Sequence, residues 1–170
     1  MKATLVFLFT LISYRTFAQG KNQTTEQFKI DGLVKQELVL TLLDLSPYEK
    51  HSVDSVVIRN HLMERKYAMK NVKGVLLRDI LDKADIQAPS PKSLSEFYIV
   101  CIAADNYKVV FSWNEIYNNK VGENLLILTE HDGKLASQTD DRIALISPSD
   151  KATGRRYVKW LKEIRVERIP

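Results

Sequence analysis

Apolar and polar residues begin to alternate after residue 27. Phe28, Ile30 and, beyond Gly32, Val34 recur at every second position, the period of a half-buried strand, and 38–42 forms a second apolar run. Gly32 marks the turn or bulge between them. A β-branched run predicts a third strand over 53–58. After Gly74 the period changes: across 75–84 the apolar positions 76, 77, 80, 81 and 84 fall on one stripe opposite charged residues, which predicts a helix. The loop around Pro89 and Pro91 is too short for a domain linker. Beyond it, 96–103 and 107–111 flank Asp105-Asn106 as a β-hairpin. Ser112 and Glu115 have the spacing of a capping box, so a short helix should run to about Asn118. Further strands are predicted over 125–129, 142–147 and 164–168, with a turn at His131-Asp132-Gly133. Many strands and two short helices without βαβ alternation define an α+β, mainly β, domain.

The N-terminal pattern is of another kind. Lys2, an apolar run over 3–12 and the small-residue site at Thr16-Phe17-Ala18 read as a secretory signal peptide, residues 1–18, cleaved before Gln19. An uncleaved anchor is the alternative, but the run is too short to span a bilayer. No stable membrane span is expected after cleavage, and the protein is expected to be exported, periplasmic or secreted. Residues 19–27 are polar and read as a flexible arm. Residues 28–170 then make one domain, long enough to bury a proper core.

Composition narrows the function classes. With 45% hydrophobic and 27% charged residues the chain is expected to fold rather than remain disordered. The net charge of +4 includes Lys2 and Arg15, so the mature chain carries 23 basic against 21 acidic side chains, no footprint for nucleic acid. A single cysteine, Cys101, excludes an intrachain disulfide and sits in an apolar run, where a buried, inert thiol is expected. His51, His61 and His131 are scattered without ligand spacing, so no metal site is read from them. The chain has no Gly-x-Ser-x-Gly nucleophile motif, no phosphate loop and no dinucleotide glycine fingerprint. Acidic pairs such as Asp140-Asp141, and Asp44 with Glu49, read as solvated. The one unusual cluster is Gly154-Arg155-Arg156 with Lys159. A glycine-led turn beside guanidinium and ammonium groups suits an anion such as phosphate. The other reading is a charged surface with Tyr157, Val158 and Trp160 supplying core.

Several of these segments, in this order and spacing, resemble a known family. They are 28–34, 73–81, Ala104-Asp105-Asn106-Tyr107 ahead of Phe111 and Glu115, 142–150, and 154–161 followed by Ile164-Arg165-Val166. Together they resemble the molybdopterin-binding domain of sulfite-oxidase-like oxidoreductases over about residues 28 to 168. The resemblance implies a mixed α+β, mainly β fold of the sulfite oxidase type, and a molybdenum–pterin cofactor whose metal is ligated by one cysteine thiolate just upstream of the segment that here begins at Lys73. In this chain that region is Arg59-Asn60-His61-Leu62-Met63-Glu64 and holds no cysteine; the substrate-pocket tryptophan and glycine that follow it in the family are also missing. Imidazole or amide does not replace the charge of a soft thiolate. Molybdopterin is therefore a possible cofactor and molybdenum is not expected. The implied pocket lies between Asn60 and His61 on one side and Gly154, Arg155 and Arg156 on the other, with Asn60, His61, Arg155, Arg156 and Lys159 as the expected cofactor-binding residues. A pterin or other small anion is the expected partner. Three roles remain open: a cofactor- or anion-binding module without redox chemistry, a molybdopterin-dependent oxidoreductase completed by another ligand, and a structural or partner-binding domain with a vestigial pocket.

Export is directly measurable. Mass spectrometry of protein from its native host should find a chain beginning at or near Gln19, whereas an intact Met1 on cytoplasmic material would exclude a cleaved leader.

Overall fold

The computed structural model describes residues 25–170; the expected leader, and the arm as far as residue 24, lie outside the described residues. In chain order the elements are β1 (Gln27–Gly32), β2 (Leu38–Thr41), β3 (His51–Arg59), β4 (Arg65–Leu76), α1 (Leu77–Ala84), β5 (Phe97–Ala103), β6 (Lys108–Ser112), α2 (Trp113–Tyr117), β7 (Leu126–His131), β8 (Lys134–Leu135), β9 (Leu145–Ile146) and β10 (Leu161–Arg168). Short 3-10 turns connect them, among them Thr153–Arg156. The strands form two sheets. One has the order β2-β1-β10-β5-β6; the other runs β3-β4-β7-β8, with β9 on β7. Strand β1 pairs in parallel with β10, so the first and last strands of the domain close the same sheet.

Burial follows the two-residue period. Phe28 and Ile30 of β1, Ile99 and Cys101 of β5, and Ile164 and Val166 of β10 point into the main core. Helix α1 closes one end of that core with Leu77, Ile80, Leu81 and Ala84, all fully buried. The far face of the second sheet carries a smaller cluster in which Val56, Ile58, Met69, Val72, Leu128 and Ile146 pack with Tyr157. Sheet β3-β4-β7 is therefore apolar on both faces over part of its length. Gly32 has φ of +90°, and a Cβ there would meet the Val166 carbonyl at 2.3 Å, so the close β1–β10 approach requires a glycine.

The helix-capping expectation holds in detail. Ser112 Oγ accepts from the Glu115 N–H at 3.1 Å while Glu115 Oε2 accepts from the Ser112 N–H at 2.9 Å. The β5–β6 hairpin turns at Asp105-Asn106, where Asn106 adopts φ of +69°. Three segments depart from the sequence reading. Strand β4 runs twelve residues where no strand is assigned, and it absorbs Val75 and Leu76, so the helix starts at Leu77 and Leu76 packs in the second cluster rather than on the helical stripe. The strand expected over 142–147 shrinks to Leu145–Ile146 because Arg142, at φ of +51°, cannot extend; its N–H instead closes a turn on the Thr139 carbonyl. Strand β1 begins at Gln27, the last residue of the expected arm.

Truncating Ile80 tests the helix face. Ile80→Ala should lower the unfolding free energy by about 2–5 kcal/mol. A loss below about 0.5 kcal/mol in a denaturant titration, the range of surface sites, would place the residue outside the core.

Candidate functional site

The end of β3 and the Thr153–Arg156 turn are stitched together. Thr153 Oγ1 accepts from the Arg59 N–H at 3.0 Å and donates to the Val57 carbonyl at 2.7 Å. Gly154 permits the contact: a Cβ there would meet the Arg59 carbonyl at 2.7 Å. A cleft of about 330 Å³ opens beside this seam, lined by Ile58, Arg59, Asn60, His61, Lys66, Tyr107, Gly154 and Arg155. Its size lies at the small end of ligand pockets, enough for a small molecule or one part of a larger one.

Three of the five expected binding residues line this cleft: Asn60, His61 and Arg155. They do not contribute equally. Asn60 is a turn builder, its Oδ1 accepting from the Leu62 and Glu64 N–H groups at 3.0 Å each and its Nδ2 donating to Glu64 Oε2 at 2.8 Å. Arg155 is exposed and forms no ion pair among the described residues. Its carbonyl accepts from the Tyr107 hydroxyl, which ties the turn to the β5–β6 hairpin. Lys66 and Tyr107 also line the cleft and were not among the expected residues. The hairpin pairing that sets Arg59 opposite Arg65 brings Lys66 to the same end, on a strand to which the sequence pattern assigns no element.

Arg156 and Lys159 are not among the cleft-lining residues. Arg156 clamps Asp150 with both arms of its guanidinium, Nε to Oδ2 at 2.7 Å and Nη2 to Oδ1 at 2.6 Å, and reaches Glu115 Oε1 at 2.7 Å. It also lies 4.2 Å over the Phe111 ring. Asp150 in turn accepts from Ser147 Oγ at 2.8 Å. These carboxylates raise the Arg156 pKa further still, burial notwithstanding, so it is a permanent, internally neutralised cation. Lys159 pairs with Asp141 at 2.8 Å, beside the Tyr157 ring at 5.2 Å. Tyr157 donates its hydroxyl to the same Asp141, and burial first, then that bond, push its ionisation well above the usual range. The basic–aromatic segment thus divides by role: Tyr157 and Val158 are core, Arg156 and Lys159 close internal pairs, and Arg155 faces the cleft.

No thiolate is at hand. Cys101, the lone cysteine, is fully buried in the middle of β5, and burial pushes its thiol up to about 12 against a weak opposing pull from Arg156. Among the described residues no cluster of three or more His, Cys, Asp or Glu side chains has metal-binding geometry. A larger groove of about 580 Å³ lies elsewhere, between Leu42, Leu43 and Leu135. It is mostly apolar, and its Arg142 is already paired with Glu26 at 3.2 Å.

The Arg156 pairs generate a pH-linked prediction. Burial raises the Glu115 pKa, but bonds from the Ser112 N–H and Arg156 outweigh it and hold the carboxyl below its ordinary 4.5. A carboxylate with a depressed folded pKa contributes stability that is present above the unfolded value and lost as pH falls through the folded one. Arg156→Ala should destabilise the domain by about 2–3 kcal/mol at pH 7, at or just below the roughly 3–5 kcal/mol for breaking a fully buried pair, because the site keeps some solvent contact. The gap between wild type and variant should narrow as denaturation curves are taken from about pH 5 to pH 3; a gap independent of pH would mean that Arg156 stabilises through packing alone.

Comparison with known proteins places this geometry. The family described as "Oxidoreductase molybdopterin binding domain" matches residues 17–170. Among solved structures, the sulfane dehydrogenase SoxCD from Paracoccus pantotrophus superposes with a TM-score of 0.64 at 16% identity, over 86% of this chain and 39% of that one. The chain therefore spans about two fifths of the length of that structure, and the likeness at this identity is one of fold. No curated protein matches. With a match covering nearly all of its length, the chain belongs to the oxidoreductase molybdopterin-binding-domain family, and its fold is the mixed, mainly β one of the sulfite oxidase type.

Proposed function

We propose that the protein is an exported binding module that holds the phosphate end of a pterin cofactor, or a small anion of the same chemistry, without the molybdenum redox activity standard in its family. The observation that carries this reading is the composition of the cleft: Arg155, Lys66 and His61 offer cationic or neutral N–H donors on both of its walls, while the turn where a thiolate is expected holds none. Guanidinium and ammonium groups make charge-assisted bonds to phosphate oxygens. A molybdopterin in this cleft would supply a dithiolene able to carry metal. The chain's own part is to meet the anionic end, with Tyr107 fixing the turn that presents Arg155.

The donor set fits the anion and does not fit the metal. A soft thiolate ligand is absent from the 60–64 turn, and the thiol at Cys101 is buried and protonated at neutral pH.

Equilibrium titration of the full chain with inorganic phosphate and with a pterin phosphomonoester tests the reading. Arg155→Ala combined with Lys66→Ala should weaken binding of the phosphomonoester at least about tenfold, the equivalent of roughly 1.4 kcal/mol, while leaving the unfolding midpoint in place. Binding unaffected by the pair would remove these residues from the site. Stoichiometric molybdenum in protein purified from its native host would overturn the non-redox part.

A further inference from the structure

The β3–β4 hairpin does not end where the core ends. Seven consecutive residues, His61 to Tyr67, are exposed, although 65–67 lie in a strand hydrogen-bonded to β3. A strand packed on a core alternates between buried and exposed positions, so this end of the hairpin overhangs the body with both faces in solvent. Burial resumes at Met69.

What projects is amphipathic. Leu62 is 64% exposed, Met63 46% and Tyr67 43%, so three of the ten large exposed hydrophobic side chains of the described residues fall within six positions. The turn presents them rigidly. The Asn60 bonds close it, Met63 is held at φ of +65°, and Arg59 Nη1 donates to the Met63 carbonyl at 3.1 Å. Flanking this apex are Arg59, Arg65 and Lys66 against one carboxylate, Glu64, which is engaged by Lys66 at 3.1 Å and by Asn60. Residues 25–170 carry 22 basic and 21 acidic side chains; outside 59–67 the balance is 19 to 20. The domain's entire positive surplus therefore sits on this overhang.

We propose that the overhanging end of the β3–β4 hairpin docks the protein on an anionic phospholipid surface, with Leu62 and Met63 entering the headgroup layer and Arg59, Arg65 and Lys66 facing lipid phosphates. A convex apex with apolar side chains at its tip, basic ones around it and a tyrosine at its base matches a negatively charged plane. A protein partner would need a concave acidic socket of the opposite shape. The contact is peripheral: among the described residues no helix is long and apolar enough to cross a membrane. Only two apolar side chains at the tip and three cations give reversible association that weakens with salt. The inference shares Arg59 and Lys66 with the lining of the neighbouring cleft, so its test uses Leu62, Met63 and Arg65, none of which lines that cleft.

Flotation of the full chain with vesicles tests it. Vesicles of phosphatidylcholine and phosphatidylglycerol at 3:1 should carry the protein at low ionic strength, and pure phosphatidylcholine should not. Leu62→Ser with Met63→Ser, and separately Arg65→Gln, should each lower the partition coefficient about fivefold or more without moving the unfolding midpoint. Binding should also survive excess inorganic phosphate at constant ionic strength. The proposal is overturned by absence of binding to the anionic vesicles, by equal binding to neutral ones, or by indifference to the apolar double substitution. Release by phosphate would assign any binding to the cleft instead, and capture by polyglutamate that ignores Leu62 and Met63 would assign the surface to an acidic protein; either result also overturns it.

Discussion

The half-buried guanidinium of Arg156 is the interaction on which the site depends. One cation ties its own turn to the loop after β9 through Asp150, six residues away, and to the contiguous β6–α2 stretch through Phe111 and Glu115, the latter 41 residues away. Each carboxylate is also held by a hydroxyl or backbone donor, Glu115 by Ser112 and Asp150 by Ser147, so little is left unsatisfied when the group is taken from water. With Arg156 fixed inward, the short turn that carries it faces Arg155 outward to the cleft. Two identical neighbouring side chains thus have opposite roles, and the structural one aims the other.

The cleft wall opposite is built on the contrary principle. The 60–64 turn is closed by its own hydrogen bonds, most of them made by Asn60, and its side chains contribute nothing to either hydrophobic cluster. Its only deep anchorage is at Arg59, where Thr153 stitches β3 to the neighbouring turn. The residues at 60–64 therefore determine what chemistry the cleft meets without determining whether the domain folds.

This division explains what the sequence made legible. Strands such as β1, β5 and β10, buried on one face, announce themselves by alternation, and α1 by its stripe, because local pattern and tertiary burial agree. Strand β4 escaped notice because it satisfies no single pattern: its first residues overhang the core with both faces wet, and its last, Val75 and Leu76, are buried on opposite faces in two different clusters. The capping box at Ser112 was readable at a spacing of three residues. The partner that gives Glu115 its second role lies 41 residues away. Likewise, the Arg155-Arg156 pair is visible in the sequence as a basic locality but does not say which arginine faces the cleft, since Asp150 and Glu115 decide that by pairing with Arg156. Lys159 follows the same logic, paired with Asp141 of the loop before β9.

A fold whose stability resides in two apolar clusters and one half-buried ionic knot can tolerate substitution on an autonomous turn. Fully buried side chains such as Phe28, Ile80, Phe97 and Phe111 lie in the core between the sheets, and each contributes on the order of 1.5–3 kcal/mol of burial, independently of residues 60–64. A thiolate at that turn would have added coordination energy only with metal present. The asparagine-closed turn present there holds itself in shape without a ligand. The cationic side chains Arg155 and Lys66 do not depend on the composition of that turn, because Arg155 is positioned from the Thr153–Arg156 turn and Lys66 from strand β4 beyond it. The proposed anion contacts and any ligand at the 60–64 turn thus rest on physically separate parts of this domain.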